Sequence, residues 1–98
     1  METDQIHQRE EERKIFTVTF DYTFSSVNDE SGLECCNSKG LSSNISSGGL
    51  GFFTSQYFKE GQPIIIYHKN ICDTPISAEI RWCKKHVDGL YKIGVCFN

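Results

Sequence analysis

The stretch Phe16–Phe24, FTVTFDYTF, decides the fold prediction because apolar and polar residues alternate along all of it. A period of two places the apolar residues on one face of a β-strand and the polar residues on the other. Such a strand has one face buried in a core and one face in water. The apolar positions are Phe16, Val18, Phe20, Tyr22 and Phe24.

Further short apolar segments follow at roughly ten-residue spacing, separated by residues that favour turns. They predict strands at 40–45, 63–68, 76–85 and 93–97, with turns at 28–32, 59–62, 70–75 and 86–89. On the third of these strands, we expect Trp82 to share the buried face of Ala78 and Ile80, and Arg81 to be solvated. Gly48, Gly49 and Gly51 predict a flexible bend before Phe52 and Phe53. About six strands without an amphipathic helix indicate an all-β barrel or sandwich.

Composition narrows the class of protein. A chain of 98 residues is expected to form one domain, and its net charge of −3 argues against a general nucleic-acid binder. The sequence has no apolar run long enough for a membrane span and no secretory signal at its polar start. We therefore expect a cytoplasmic protein whose five cysteines, none in a CxxC pair, are reduced strand residues without a metal. The scattered histidines His7, His68 and His86 give no enzyme motif.

Residues 1–14 are charged and polar, which predicts a flexible N-terminal arm ahead of a barrel over 15–98. The arm carries Arg9 and Arg13 in an RxxxR pattern. Guanidinium groups bind phosphate bidentately and pair with the O6 and N7 atoms of guanine. The alternative is that both are solvated charges that pair with Glu10–Glu12.

A second pattern, NxSxxG, consists of Asn44, Ser46 and Gly49. An amide here can read a base edge, and a hydroxyl can bind phosphate or base. Gly49 would permit a positive φ and a close approach of the backbone to a ligand. The alternative is an ordinary surface turn rich in Ser, Asn and Gly.

The two motifs occur in a fixed order, with thirty residues between Arg13 and Asn44 and a predicted strand after the first motif. In this arrangement the sequence resembles the PilZ domain family. That family is marked by RxxxR followed by (D/N)x(S/A)xxG. Its later apolar strand with Trp and its terminal apolar-Gly-Val-x-Phe strand are similar to residues 80–82 and 93–97. The resemblance extends from Arg9 to Phe97.

The resemblance implies a six-stranded antiparallel β-barrel that binds cyclic di-GMP, without catalytic activity and without a cofactor. By this resemblance Arg9 and Arg13 hold phosphates and guanines, Asn44 and Ser46 contact a guanine edge and the ligand backbone, and Gly49 keeps the floor open. Secondary contacts are expected at Gln8, Gly48, Arg81 and Trp82. The arm is expected to order over the nucleotide and so present a new surface to an effector protein in motility, biofilm formation, secretion or polysaccharide export.

Two departures and several alternatives accompany this interpretation. Gln8 stands where many members carry another Arg, and Asn44 stands where Asp is commoner. The main alternative is a degenerate PilZ-like protein-interaction module that binds no nucleotide. A small oligonucleotide-binding barrel would need surface aromatics among Lys and Arg residues, whereas Phe16, Phe20 and Phe24 follow the buried period.

Overall fold

The computed structural model describes residues 14–28 and 32–98. Within these ranges the chain forms seven strands and no helix. The strands are β1 (Lys14–Ile15), β2 (Thr19–Asn28), β3 (Gly32–Ile45), β4 (Gly49–Thr54), β5 (Pro63–Tyr67), β6 (Ile76–Val87) and β7 (Leu90–Phe97). The predictions for Gln8, Arg9, Arg13 and the rest of 1–13 lie outside the described residues.

All strand pairings are antiparallel, and the strands run in the order β1-β3-β2-β5-β6-β7-β4. A further antiparallel pairing between β3 and β4 closes β2–β7 into a six-stranded barrel. Closure removes most of the unpaired edges that an open sheet of this size would expose. The barrel confirms the predicted fold class, with the two-residue strand β1 added beside β3.

The alternating stretch supplies much of the core. Phe20 and Tyr22 on β2 are buried, and Phe52 packs against the Phe20 ring with centroids 5.0 Å apart in an edge-to-face arrangement. The Tyr22 hydroxyl is satisfied inside the barrel by Thr54 Oγ1 at 2.6 Å. Burying each such side chain stabilises the fold by roughly 1.5–3 kcal/mol. The other core residues are Leu50, Phe58, Ile64, Ile66, Ala78, Ile80, Ile93 and Val95.

The strand predicted from Phe16 in fact begins at Thr19. The preceding segment is bridged to β3 by a side chain, since Ser42 Oγ accepts from Val18 N and donates to the Phe16 carbonyl. The Ser42 hydroxyl takes the place of part of the backbone hydrogen bonding between the two strands. Residues 16–18 therefore keep the alternating apolar pattern although the strand begins only at Thr19.

The predicted bend at Gly48–Gly51 is wrong, because β4 already begins at Gly49. Leu50 and Phe52 belong to the core, while the two glycines of the strand lie on the other face and are buried beneath neighbouring residues. Gly49 does not have a positive φ, which the described residues show only at Gly32, Gly61 and Gly89. β3 is also longer than predicted, since residues 32–39 pair with β2 although their polar composition gave no strand signal.

All five cysteines are free thiols. Cys83 packs against the core, as expected of a strand residue that acts as a small hydrophobe. Cys72 instead lies in the segment between β5 and β6 and is partly exposed. Among the described residues no group of three or more His, Cys, Asp or Glu is placed to hold a metal ion.

Candidate ligand-binding site

The NxSxxG residues lie where β3 turns into β4. Ser46 N donates to the Gly49 carbonyl at 3.0 Å, and Ser46 Oγ accepts from Gly48 N at 3.3 Å. The Ser46 residue is only 8% exposed. Its hydroxyl therefore shapes the turn that carries both glycines, a role that the sequence pattern did not reveal.

Gly49 is required by packing rather than by its dihedral angles. It is opposite Cys96 in the β4–β7 ladder, and an added Cβ would lie 2.2 Å from the Val95 carbonyl oxygen. The expectation of a positive φ at Gly49 is thus wrong, while the close approach of a neighbouring backbone is present. Any side chain here would separate β4 from β7.

Asn44 belongs to a row of residues that crosses four neighbouring strands. It is opposite Gly51, which is opposite Gly94, which is opposite Trp82. A Cβ at Gly51 would lie 3.0 Å from Asn44 Oδ1, and a Cβ at Gly94 would lie 2.3 Å from the Trp82 ring. The amide and the indole thus lean over two adjacent glycines on the outer surface of the barrel and form a low, flat platform. We call Asn44, Gly51, Gly94 and Trp82 the glycine platform.

Trp82 reaches this face because β6 contains a β-bulge. The register shifts between Ile80, opposite Val95, and Trp82, opposite Gly94, so that two residues of β6 span one step of β7. A bulge re-aims the side chains that follow it. Trp82 is therefore 39% exposed, and the prediction that it shares the buried face of Ile80 is wrong.

The bulge also brings Arg81 and Trp82 to one cavity, although simple alternation predicted that they point apart. This cavity of about 380 Å³ lies beside the platform and joins β6 to the β3–β4 turn. It therefore unites four of the predicted site residues. Its lining is Gly48, Gly49, Glu60, Arg81, Trp82, Val95 and Cys96.

The short strand β1 connects this face to the N-terminal segment. Lys14 is opposite Ile45 and Ile15 is opposite Asn44. Arg13, the last residue of the RxxxR motif, directly precedes Lys14 in the sequence. Lys14 in turn pairs with Ile45, the residue between Asn44 and Ser46. The positions of Arg9, Arg13 and Gln8 themselves lie outside the described residues.

Two lysines that sequence reasoning missed stand next to the platform. Lys84 Nζ lies 5.6 Å from the centre of the Trp82 ring, and Lys92 Nζ lies 5.4 Å from the centre of the Phe53 ring. With Arg81 they place three cations on one face of a protein whose net charge is −3. The only sequence signal for Lys84 is that it follows Trp82 by two residues, which places both side chains on one face of a strand. Which face that is depends on the bulge.

A larger groove of about 710 Å³ lies over β2, β3 and β5 and contains none of the predicted residues. Lys39 and Asp21 form an ion pair within it, and the Thr23 and Tyr67 hydroxyls are 3.5 Å apart. The two charged residues of its lining are therefore already paired with each other. Its lining is Asp21, Thr23, Asn37, Ser38, Lys39 and Tyr67.

Comparison with known proteins gives one finding. The family model of the PilZ domain matches residues 7–98, nearly the whole chain. The match spans both motifs, the platform and the terminal strand. A search of curated proteins gives no match. In the part of the chain that the structure describes, no helix has the length and apolar character needed to cross a bilayer.

Proposed function

Since this chain belongs to the PilZ domain family, we propose that it is a receptor for cyclic di-GMP that binds the nucleotide on the glycine platform of its β-barrel. The family is one of cyclic di-GMP-binding, non-enzymatic modules. What this chain adds is a specific outer face that carries Asn44 and lies next to β1, the strand that follows Arg13 in the sequence.

The observation that carries the proposal is the pairing of β1 with the end of β3. Lys14 is held opposite Ile45, and adjacent Cα atoms along a chain are about 3.8 Å apart. Lys14, the residue that follows Arg13 in the sequence, thus lies beside the residue that precedes Ser46. This pairing supports the proposal that the two motifs, thirty residues apart in sequence, contact one ligand.

The platform suits a planar base. Trp82 rests on Gly94 and is partly exposed, with the Lys84 ammonium over its ring, and stacking of a base on an aromatic ring contributes roughly 1–3 kcal/mol. The Asn44 amide offers donors and acceptors to the guanine edge. Because Gly51 and Gly94 have no side chains, the Asn44 amide and the Trp82 indole can lie close to the sheet.

The arginines supply the charge complement. We assign Arg9 and Arg13 to the phosphates and the guanine O6 and N7 atoms, with Arg81 as a further cation beside Gly48 and Gly49. Gln8 stands next to Arg9 and offers an amide instead of a charge. The net charge of −3 does not oppose such a local site, since screening limits surface fields to about 8–10 Å.

We further assign a switching role to the predicted arm, residues 1–14, of which Lys14 already pairs in β1, and ligand contacts would order the arm over the platform to create a surface for an effector protein. Fixing each residue costs roughly 1–2 kcal/mol, and this segment has Ile6 as its single large aliphatic side chain, so ligand contacts must offset the cost. Amide exchange over residues 5–13 with and without saturating cyclic di-GMP tests this. Slower exchange on binding is expected, and unchanged exchange would remove the switch from the account.

Calorimetric titration with cyclic di-GMP tests the function itself, on the wild type and on Arg13→Ala, Ser46→Ala and the distant control Lys69→Ala. We expect the wild type and Lys69→Ala to bind alike. Arg13→Ala should bind roughly tenfold or more weakly, because a charge-assisted contact contributes about 1.5–3 kcal/mol. A wild type that does not bind at tens of micromolar would favour the interaction-module alternative instead.

A further inference from the structure

Lys84 and Lys92 are direct cross-strand partners on the outer face of β6 and β7. Like charges directly opposite each other on a sheet are destabilising. Each ammonium group lies over an aromatic ring, Lys84 over Trp82 and Lys92 over Phe53. Cation–π contact at an exposed site offsets only roughly 0.5–1 kcal/mol. Among the described residues the pair is therefore an electropositive site without an ion-pair partner.

No acidic side chain neutralises the pair within the described ranges. The two ion pairs found there are Lys39–Asp21 and Lys85–Asp88, and neither includes Lys84 or Lys92. The nearby Lys85 is already matched by Asp88 at 2.6 Å. The two cross-strand lysines, each with its ammonium over a different aromatic ring and outside those ion pairs, are therefore available to an external anion.

The lysines stand one step along the sheet from the glycine platform. Phe53 is opposite Lys92, as Gly51 is opposite Gly94, so the two rows are adjacent on the same outer face. Strand spacing of about 4.8 Å and a rise of about 3.3 Å per residue place the Cα of Lys92 roughly 12 Å from that of Asn44. A lysine side chain extends several ångströms further toward a ligand on the platform.

We propose that Lys84 and Lys92 form a second phosphate subsite, which receives one of the two phosphodiester groups of cyclic di-GMP while the N-terminal arginines receive the other. The inference rests on the proposed function and extends it to residues outside both sequence motifs. On binding, the Lys84 ammonium leaves the outer face of Trp82, a guanine stacks in its place, and the phosphate lies between the two lysines. The anion removes the repulsion that the free protein carries.

Glutamine replacements test the subsite, because they keep most of the side chain and remove only the charge. We expect Lys84→Gln and Lys92→Gln each to weaken cyclic di-GMP binding by roughly fivefold to tenfold, with Lys69→Gln as a control that binds like the wild type. Fluorescence of Trp82, the only tryptophan in the chain, should still change at saturation in all three variants. That change shows that the nucleotide still stacks on the platform.

The charge reversal Lys92→Glu tests whether the two lysines bind the ligand or only keep the protein soluble. It places a carboxylate opposite Lys84, so the midpoint of urea unfolding should rise while binding weakens by more than tenfold. If the wild type binds, Arg13→Ala weakens it and the lysine variants bind unchanged, the subsite is wrong and the receptor function stands. If the wild type itself does not bind cyclic di-GMP, both are wrong.

Discussion

The indole of Trp82 lies over Gly94 and fills the space where a side chain would otherwise stand, with 2.3 Å between the ring and the position of an added Cβ. The β-bulge after Ile80 makes this contact possible by moving Trp82 from the buried to the outer face. The ring is thus fixed against the sheet, and the Lys84 ammonium lies over it. A ring that is already fixed can stack a planar ligand in place of the ammonium without first becoming ordered.

Gly94→Ala is expected to displace the indole and to disrupt the platform. Because the added methyl group meets a ring packed against the sheet, we expect a loss of stability of about 1–3 kcal/mol and roughly tenfold weaker cyclic di-GMP binding. The emission of Trp82 should also change in the free protein. Unchanged emission and unchanged affinity would show that the indole does not depend on Gly94.

Gly49→Ala and Gly51→Ala form a matched pair that is expected to differ in how much stability each variant loses. A Cβ at Gly49 meets the Val95 carbonyl at 2.2 Å, and backbone cannot move aside without separating two strands, so unfolding free energy should fall by about 2 kcal/mol or more. The atoms nearest to a Cβ at Gly51 belong to the Asn44 amide, which can rotate. Gly51→Ala should therefore cost less stability but weaken binding, and equal losses of stability would contradict this distinction.

Ser46→Ala is expected to affect both the turn and the ligand. It removes the hydroxyl that accepts from Gly48 N, at a cost of about 1 kcal/mol in urea unfolding, and it weakens cyclic di-GMP binding roughly tenfold. Ser47→Ala changes the adjacent, exposed serine and is the control. Equal affinities of the two variants for cyclic di-GMP would show that Ser46 does not contribute to the site.

Stability at alkaline pH should depend on Tyr22. Burial raises the pKa of the Tyr22 phenol above its usual range, and the hydrogen bonds to Ser38 and Thr54 oppose this only in part. An unfolded tyrosine ionises at about pH 10 while the buried one stays protonated, so stability falls as pH rises above about 10. Urea unfolding should show a smaller fall in Tyr22→Phe, which is about 1 kcal/mol less stable at neutral pH because the hydrogen bond between the Tyr22 and Thr54 hydroxyls is lost. Parallel pH profiles would contradict this assignment.

The sequence predicted those elements whose signal is local. Alternation around Phe20 and Tyr22 identified a half-buried strand, and Asp88–Gly89 identified a hairpin turn. Residues 32–39 escaped notice because they pair only with β2 and are largely exposed, so no apolar period marks them.

The platform could not be predicted because its parts meet only through long-range register. Nothing near Gly51 or Gly94 in the sequence says that the two glycines are cross-strand neighbours. The extra residue at the bulge turns Trp82 to the face opposite to the one that alternation predicted. For the same reason the sequence did not indicate that Lys84 and Lys92 are cross-strand partners. Glycines in alternate positions of β4 also resembled a loop, since glycine weakens every local strand signal.

The most direct test of the receptor function is an NMR titration of the amide-labelled chain with cyclic di-GMP. Binding on the proposed face predicts the largest shifts at Lys14 and Ile15, at residues 44–51 and at Arg81, Trp82 and Gly94, with little change at Thr23 and Tyr67. A spectrum that does not change, or shifts centred on the groove that contains Thr23 and Tyr67, would contradict the account.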